Sequence, residues 1–324
     1  MCFGFDGQAA LERSLEERGL DRRSVLRGAL AAAAAGVLGA GGLGAAAGPA
    51  QAVARPAGRN RVPGGAISIQ LYTLRTVLES DFDGTLRALA DIGYPRVELA
   101  GYYGRTAAEL RDFLDSIGIA ASSSHDGVSD SAAALQEKVG NAVTLGQRFM
   151  VMPYFDSAVA ADWQRLADQM NAEAAVARAA GLRYGYHNHA HEFSRVLDNG
   201  QRPWEILTGR LDPALVHLEA DLFWVVTGGL QSGQATEATA EQWAVEVISS
   251  APQRVLQYHV KDREPGLDPY AGNAFADPGT GFIDFGAIFE ANTVTEYIVE
   301  NDQPDVTPLQ TATVGYRYLS ELRY

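Results

Sequence analysis

The feature that most constrains the fold is a regular alternation, from residue 66 onward, of short apolar runs with longer segments of helical period. Each apolar run has the length of a buried strand, and several of the intervening segments end at a glycine that can cap a helix. Strands that alternate with helices in this way pair in parallel, because each helix returns the chain to the same edge of the sheet. The pattern therefore predicts an α/β domain.

Eight strands are predicted, a number that matters because eight parallel strands can close into a (β/α)₈ TIM barrel. The predicted strands are Ala66–Tyr72, Arg96–Leu99, Ala120–His125, Phe149–Met152, Tyr184–His187, Val216–Asp221, Leu256–Lys261 and Tyr297–Glu300. An open doubly wound sheet is the alternative, but the Gly-x-Gly-x-x-Gly turn expected after its first strand is missing. We therefore predict a (β/α)₈ TIM barrel.

Helices are predicted between these strands, and glycines mark their ends. Examples are Asp83–Asp91, Thr106–Ser116 and Ala161–Ala180, each followed within two residues by a glycine. Only Gly266–Gly281 has the character of a long loop.

Ahead of the barrel lies a segment with the order of an export signal. Arg22 and Arg23 precede an apolar run of Ala and Gly, and Ala50-Gln51-Ala52 forms a small-x-small cleavage site. The arginine pair favours the twin-arginine route. A membrane anchor is the alternative, but a run of Ala and Gly near the minimum length for a span makes a weak one.

The predicted organisation is a cleaved signal over residues 1–52, a short linker over 53–65 and a catalytic TIM-barrel domain over 66–324. Residues 53–324 have a length close to the roughly 250 residues of a typical TIM barrel. We expect the protein to be exported to the cell envelope or the extracellular space, without stable insertion in the membrane.

Charge and cysteine content exclude several classes of function. The net charge of −14 argues against a nucleic-acid partner, since phosphates require a basic surface. The one cysteine, Cys2, falls in the predicted signal, so neither disulfides nor thiolate chemistry is expected. The expected partner is a small-molecule carbohydrate, and a homo-oligomer is compatible with the sequence.

Four of the later strands each end in a side chain that can bind a metal. These residues are His187, Asp221, His259 and Glu300. Catalytic residues of a TIM barrel come from this end of the strands. One histidine at a strand end is usually structural, but four such residues on successive strands favour a metal site. The mixed nitrogen and oxygen set predicts one divalent ion and suits Mn²⁺, Co²⁺ or Zn²⁺ better than Mg²⁺.

Strand parity places further ionisable side chains beside these ligands, because alternate side chains share a face. His189 and Lys261 should each lie one step beyond a ligand, toward the mouth where a substrate binds. Glu219 should lie one layer deeper, where it would orient a ligand. For Lys261, a surface ion pair with Asp262 is an equally compatible interpretation.

Other polar and aromatic residues are candidates for binding the substrate. They are Gln70, Glu98, His125, Tyr154 and Trp224, with Trp204 as a weaker candidate for stacking on a sugar. The structural alternatives are a hydrogen bond at the barrel rim for the polar residues and burial in the core for the tryptophans. Gly279-Thr280-Gly281 could bind a phosphate, although a turn or a mobile lid is favoured.

Together these motifs resemble the sugar phosphate isomerase/epimerase family of xylose-isomerase-like barrels, in particular a secreted branch with a Tyr-His-Asn-His motif. The matching segments are Gln70–Arg75, Tyr186–Phe193, Glu219–Val225, His259–Asp262, Gly279–Phe285 and Val299–Gln303. The resemblance implies a metal bound through Glu, Asp, His and Glu, with the two glutamates moving the substrate proton. In this chain His187 replaces the first of those glutamates, which leaves Glu300 as the only carboxylate of the pair.

Three functions are compatible with this site. We put first a metal-dependent isomerase or epimerase of a free or derivatised sugar, in which Glu300 takes a proton from carbon and His189 or Lys261 handles the oxygen proton. Inversion at carbon needs a group on each face, which His189, Lys261 or Glu192 would have to supply. A lyase or hydrolase of keto-glycosides needs only one base. A non-catalytic sugar-binding protein is the third possibility. Export and net acidity favour an unphosphorylated substrate.

Overall fold

A computed structural model describes residues 58–324, so the predicted signal lies outside the described residues. The strands are β1 (Ile67–Ile69), β2 (Arg96–Leu99), β3 (Ala120–Ser124), β4 (Phe149–Met152), β5 (Arg183–His187), β6 (Val216–Asp221), β7 (Val255–Val260), β8 (Asp262–Arg263), β9 (Phe275–Ala276) and β10 (Glu296–Val299). Eight of them, β1 to β7 and β10, correspond to the eight predicted strands.

Those eight strands close into a parallel barrel. Six pair in the order β1, β10, β7, β6, β5 and β4, and β2 pairs in parallel with β3. Two parallel bridges join the groups, one between Gln70 and Glu98 and the other between His125 and Val151. Every neighbouring pair of strands is thereby linked, which confirms the predicted (β/α)₈ fold class.

Helices cover the outside of the barrel. They are α1 (Arg75–Ser80), α2 (Phe82–Ile92), α3 (Ala107–Ser116), α4 (Ala132–Leu145), α5 (Ala160–Ala179), α6 (His191–Ser194), α7 (Pro203–Arg210), α8 (Leu222–Ser232), α9 (Ala240–Ser249), α10 (Phe285–Ala291) and α11 (Pro308–Glu321). Short 3₁₀ turns occupy Gly64–Ala66, Leu71–Leu74 and Glu237–Thr239. In the described part of the chain no helix is long and apolar enough to span a membrane.

The predicted helix ends follow from the residues at the caps. Gly93 closes α2 with a φ of 116°, a conformation that a residue with a Cβ rarely adopts. At the N-terminal end of a helix, Thr106 and Glu109 form a capping box that begins α3. Leu110 and Leu114 on that helix are buried against the barrel, so capping and packing select the same boundaries.

The predicted linker is partly within the described chain. Val62 is buried in the core, and Arg61 pairs with Arg323 near the other end of the chain. Residues 61 and 62 therefore pack with the barrel, while the extents of the signal and the linker stay predictions.

The segment predicted as a long loop, Gly266–Gly281, is a loop except for the two-residue strand β9. Residues of β9 pair antiparallel with β8, directly after the seventh barrel strand. The Asp262 carboxylate accepts backbone N–H bonds from Gly279, Gly281 and Ile283, at 2.9, 3.0 and 3.1 Å. Gly279-Thr280-Gly281 is therefore a turn tied down by Asp262.

The barrel interior is unusually polar. Ser68, Gln257 and Glu296 are buried within it, where TIM barrels more often carry branched aliphatic side chains. Buried polar groups require hydrogen-bond partners, and Glu296 accepts bonds from Ser122 and Gln257. Polar side chains therefore occupy the barrel interior beneath the carboxyl ends of the strands.

Candidate metal centre and active site

A cavity of about 570 Å³ opens at the carboxyl ends of the barrel strands. Residues predicted for the site that line it are His125, Tyr154, His187, His189, Trp224, Lys261 and Glu300. They come from six different strand ends or the loops after them, as expected for a TIM barrel.

The four predicted metal ligands meet at the base of this cavity. His187, Asp221, His259 and Glu300 are all buried, and each offers one ligand atom within 4.8 Å of the others. His187 Nε2 lies 3.8 Å from Asp221 Oδ2, and His259 Nδ1 lies 3.9 Å from the same oxygen. Ligands of one tetrahedral zinc ion lie about 3.4 Å apart, given bond lengths of 2.0–2.2 Å. These separations suit a single small divalent ion.

Asp221 provides an independent sign that the cluster fits a cation. Its Oδ2 is buried and makes no hydrogen bond, although Lys261 Nζ lies 3.1 Å away. Its other oxygen, Oδ1, accepts the backbone N–H of Trp224, which fixes the carboxylate plane. Lys261 places a positive charge beside this oxygen without a hydrogen bond to it, so Oδ2 still has lone pairs available to a metal. Two imidazoles and two carboxylates are suitable ligands for first-row divalent metals.

Beneath the ligands, Glu219 orients three imidazole rings. Its Oε2 lies 2.9 Å from His125 Nε2, 3.2 Å from His187 Nδ1 and 3.2 Å from His259 Nε2. A carboxylate beside one ring nitrogen holds the proton there and frees the other nitrogen as a ligand. This arrangement favours protons on the nitrogens beside Glu219, while His187 Nε2 and His259 Nδ1 face Asp221. His259 Nδ1 also lies 2.9 Å from Glu300 Oε2. This agrees with the deeper, orienting role predicted for Glu219.

Glu98 belongs to this lower layer, which differs from its predicted role in binding substrate. Its Oε2 lies 2.7 Å from His259 Nε2 and 2.8 Å from Gln70 Nε2, and Ser123 donates to its Oε1 at 2.6 Å. Both Glu98 and Gln70 are fully buried and neither lines the cavity. The substrate-binding prediction for these two residues is corrected: they support His259 instead.

Burial affects the two ligand histidines differently. Burial and the neighbouring His259 ring lower the pKa of His187 to about 3, so this ligand is a neutral imidazole. Burial also opposes a charge on His259, but the carboxylates of Glu219, Glu300 and Glu98 outweigh it and raise the pKa of His259. A metal must therefore displace a proton from His259 when it binds.

Lys261 lies within the carboxylate cluster and is almost fully buried. Its Nζ lies 2.7 Å from Glu300 Oε2, 3.1 Å from Asp221 Oδ2 and 3.0 Å from Asp302 Oδ2. Burial alone would lower the pKa of Lys261, but these carboxylates raise it well above its usual value. The alternative of a surface pair with Asp262 is wrong, because the Asp262 carboxylate binds backbone N–H groups of the Gly279 turn.

Glu300 is the carboxylate best placed for chemistry. Burial works against its ionisation, but Lys261 and His259 hold the pKa of Glu300 well below its usual range. It is therefore ionised at neutral pH, although the same contacts that lower its pKa also make it a weaker proton acceptor while they persist.

His189 and the aromatic residues form the upper wall. The His189 ring lies 5.0 Å from that of Tyr154 and 5.3 Å from that of Trp224, measured between centroids. Burial, with the nearby His187 and Lys261, lowers the pKa of His189 well below its usual value, so the ring is neutral. A neutral imidazole carries one donor and one acceptor. Trp204, by contrast, packs against Phe193 in the core and does not line the cavity.

Several cavity residues were not selected from the sequence. They are Tyr72, Arg75, Phe275, Asp302 and Gln303. All except Phe275 lie inside two of the matching motifs, Gln70–Arg75 and Val299–Gln303. Both motifs extend past the end of a strand, so their last residues could have been predicted to line the cavity. Phe275 reaches the cavity only through the pairing of β8 with β9.

Comparisons with known proteins show which family the chain resembles. The sequence model of the family described as xylose isomerase-like TIM barrel matches residues 79–293. Inosose dehydratase from Salmonella typhimurium is 23% identical over 285 residues, covering 75% of this chain and 89% of that protein. The enzyme of the same name from Clostridium perfringens is 26% identical over 234 residues, covering 66% of this chain and 68% of that protein.

Two solved structures are similar to this chain in fold. A sugar phosphate isomerase/epimerase from Parabacteroides distasonis has a TM-score of 0.62 and 25% identity, covering 79% of this chain and 94% of that one. The IolI protein with a bound zinc atom has a TM-score of 0.57 and 16% identity, covering 78% of this chain and 99% of that one. At that lower identity, the second likeness concerns the fold alone.

Proposed function

The chain belongs to the xylose isomerase-like TIM barrel family, and we propose that it is a metal-dependent lyase that eliminates a leaving group from a keto-sugar or a keto-glycoside. The main support for this proposal is the position of the cavity carboxylates beside Lys261. The carboxylates that line the cavity, Glu300 and Asp302, both lie at the end of β10 and both contact Lys261. The ionised base and the buried ammonium group thus occupy the same wall.

The metal would be held by His187, Asp221, His259 and Glu300. A divalent ion there would polarise a substrate carbonyl and so acidify the neighbouring C–H bond.

The residues themselves suit an elimination. The Glu300 carboxylate would accept the proton from the carbon next to the carbonyl, and the electron pair of that C–H bond would form the new C=C bond. The C–O bond at the next carbon would then break, and the departing oxygen would take a proton from Lys261 or His189. The proton acceptor Glu300 and the proton donor Lys261 lie 2.7 Å apart on one wall of the cavity. This arrangement favours loss of the proton and of the leaving group from the same face of the substrate.

The curated relatives support this reaction class, because dehydratases eliminate water from their substrates. The replacement of a ligand glutamate by His187 supports it as well. That ring is neutral and its Nδ1 points to Glu219, so it offers no second carboxylate base.

An isomerase or epimerase remains the second candidate, favoured by the likeness to the Parabacteroides distasonis structure. His187 ends β5 and His189 follows it, three strands around the barrel from β10. On that side of the cavity, the described residues that could return a proton include His189 and the phenol of Tyr154, and no carboxylate lines that wall. Inversion at carbon would depend on one of these groups for that step.

An unphosphorylated substrate is supported by the Gly279 turn. Successive backbone N–H groups in a turn can bind a phosphate, but here the carboxylate of Asp262 accepts them. The net charge of −14 also disfavours a polyanionic substrate.

The test is to incubate metal-loaded protein with free sugars, 3-keto-glycosides and their reduced forms in deuterated water. Release of the aglycone from the keto-glycosides alone is the expected result. Solvent deuterium at one carbon without aglycone release would instead favour isomerisation.

Glu300→Gln should lower the rate of aglycone release by roughly 10²–10⁴-fold, the usual contribution of a general base. Glu321→Gln, an exposed residue paired with Arg317, is the matched control and should leave the rate unchanged. Turnover near the wild-type rate in Glu300→Gln would rule out the proposed mechanism.

A further inference from the structure

Arg75 is a cation on the cavity wall that the proposed reaction does not use. It is the first residue of α1, directly after the turn Leu71–Leu74, and its side chain is half-buried. It reaches across to the end of β10, where its Nη2 donates to the backbone carbonyl of Asp302 at 2.7 Å.

The charge of Arg75 is not matched by a carboxylate. Among residues 58–324, no carboxylate lies within ion-pair distance of its guanidinium, whereas Lys261 on the same wall contacts three. Asp302 illustrates the difference, since its carboxylate binds Lys261 and only its carbonyl binds Arg75. Arg75 therefore brings a positive charge into the cavity that its described neighbours leave unneutralised.

The guanidinium is also held in a fixed orientation. Nη1 donates to the carbonyl of Tyr72 at 2.9 Å, and the Tyr72 ring covers one face of the group at 4.2 Å. These contacts use two of the five N–H groups of an arginine, and the other three have no partner in the described part of the chain. An arginine held in this way loses little entropy when it binds a planar anion.

We propose that Arg75 forms a subsite for a carboxylate on the substrate, so that the preferred substrate is a sugar acid rather than a neutral sugar. The inference rests on the proposed function only in taking this cavity as the substrate site. A carboxylate matches the planar fork of a guanidinium with two parallel N–H bonds. A phosphate dianion is less suitable, because Arg75 is the one cationic side chain without a carboxylate partner among the described residues that line the cavity, and the N–H groups of the Gly279 turn already bind Asp262.

The alternative is a purely structural role, in which Arg75 only ties the turn at Tyr72 to the loop at Asp302. Such a clamp would affect acidic and neutral ligands equally, whereas a carboxylate subsite would affect acidic ligands alone. Comparing ligands that differ only in charge therefore separates the two roles.

The experiment is isothermal titration calorimetry of metal-loaded protein with D-glucuronate, D-glucose and D-glucose 6-phosphate. We expect wild type to bind glucuronate about tenfold to a hundredfold more tightly than glucose, the range for a charged hydrogen-bonded pair. Arg75→Gln should remove that preference and leave glucose binding unchanged. Arg210→Gln, which breaks an exposed pair with Asp168, is the matched control and should keep the preference.

Two further measurements keep the test decisive if Arg75→Gln folds poorly. Arg75→Lys retains the charge without the planar fork and should keep only part of the preference. In wild type, raising the salt concentration should weaken glucuronate binding and leave glucose binding unaffected.

Equal binding of glucuronate and glucose by wild type, including failure of both to bind, would overturn the proposal. So would a preference that survives in Arg75→Gln, or tighter binding of glucose 6-phosphate through Arg75. These outcomes are independent of the proposed elimination, which is judged by aglycone release and by Glu300→Gln.

Discussion

At the scale of single residues, we propose that His187 decides which chemistry the site can perform. The family resemblance implies a glutamate at this position, and a neutral imidazole there makes the ligand set less negative by one charge. Fewer anionic ligands leave more of the positive charge of a metal available to a substrate oxygen. His187 therefore favours activation of a carbonyl over transfer of a proton between two carboxylates.

His187→Glu should retain the metal, since both carboxylate and imidazole bind first-row divalent ions. The added negative charge should weaken the polarisation of the carbonyl and lower the rate on the native substrate, while a second carboxylate base could create weak epimerisation. The measurements are metal content, the rate of aglycone release and deuterium exchange at carbon. A variant with wild-type activity in all three would show that the imidazole has no special role.

At the scale of secondary structure elements, β10 carries two glutamates with opposite ionisation. Glu300 at its carboxyl end lies beside Lys261 and is held ionised. Glu296 at its other end is buried in the barrel, and burial raises the pKa of Glu296 to about 7 despite the hydrogen bond from Ser122. This strand and the residue after it thus present a charged base at the cavity and, below it, an acid that is mostly neutral only below pH 7.

Glu296→Gln should make the stability of the protein less dependent on pH. Between its ordinary pKa near 4.5 and about 7, Glu296 is protonated in the folded state and ionised in the unfolded state, so wild type loses stability as the pH rises. The loss should approach about 3 kcal/mol above pH 7, at 1.36 kcal/mol per pKa unit. Glutamine cannot ionise, so the variant should be more stable than wild type at pH 8 and similar at pH 4.5.

Urea denaturation at both pH values measures this difference, with the exposed Glu321→Gln as a control that should show none. A stability difference between Glu296→Gln and wild type that is the same at both pH values would contradict this account of the barrel interior.

The sequence was sufficient for the barrel strands and for the four candidate ligands, but not for depth within the barrel. All eight barrel strands followed from apolar periodicity, and the convergence of His187, Asp221, His259 and Glu300 followed from their places at strand ends. The layer occupied by Glu98 depends on register shifts, which occur between Val97 and Glu98 and again between Leu218 and Glu219. Such irregularities are set by packing among strands distant in sequence, so local patterns did not reveal that Glu98 lies under His259.

The ribbon of β8 and β9 could not be predicted for a related reason. Each strand has only two residues, too few for any periodicity. The Asp262 carboxylate stabilises it through the N–H groups of a turn 17 to 21 residues further along the chain. Phe275 is consequently a cavity residue that only the folded chain identifies.

At the scale of the whole molecule, the predicted export signal and the candidate metal centre both favour folding before export. Twin-arginine export accepts folded proteins, and a metal site with a buried ligand set is best loaded during folding in the cytoplasm. We propose this route for the chain on the strength of residues 1–52, which lie outside the described structure.

Replacing both Arg22 and Arg23 by lysine should block export and leave the precursor in the cytoplasm. Cell fractionation with an antibody to the protein is the measurement, and lysine at Arg59 and Arg61, beyond the predicted cleavage site, is the matched control. Unchanged export of the Arg22 and Arg23 variant would favour the general secretory route.

We propose that four residues from four strands hold one divalent metal on which the chemistry depends. Elemental analysis of protein purified without chelator and reloaded with Mn²⁺, Co²⁺ or Zn²⁺ shows whether the metal is present. We predict one tightly bound ion per chain in wild type, and loss of that ion in both Asp221→Ala and His259→Ala. Wild-type protein without bound metal, or undiminished binding in those two variants, would contradict the account.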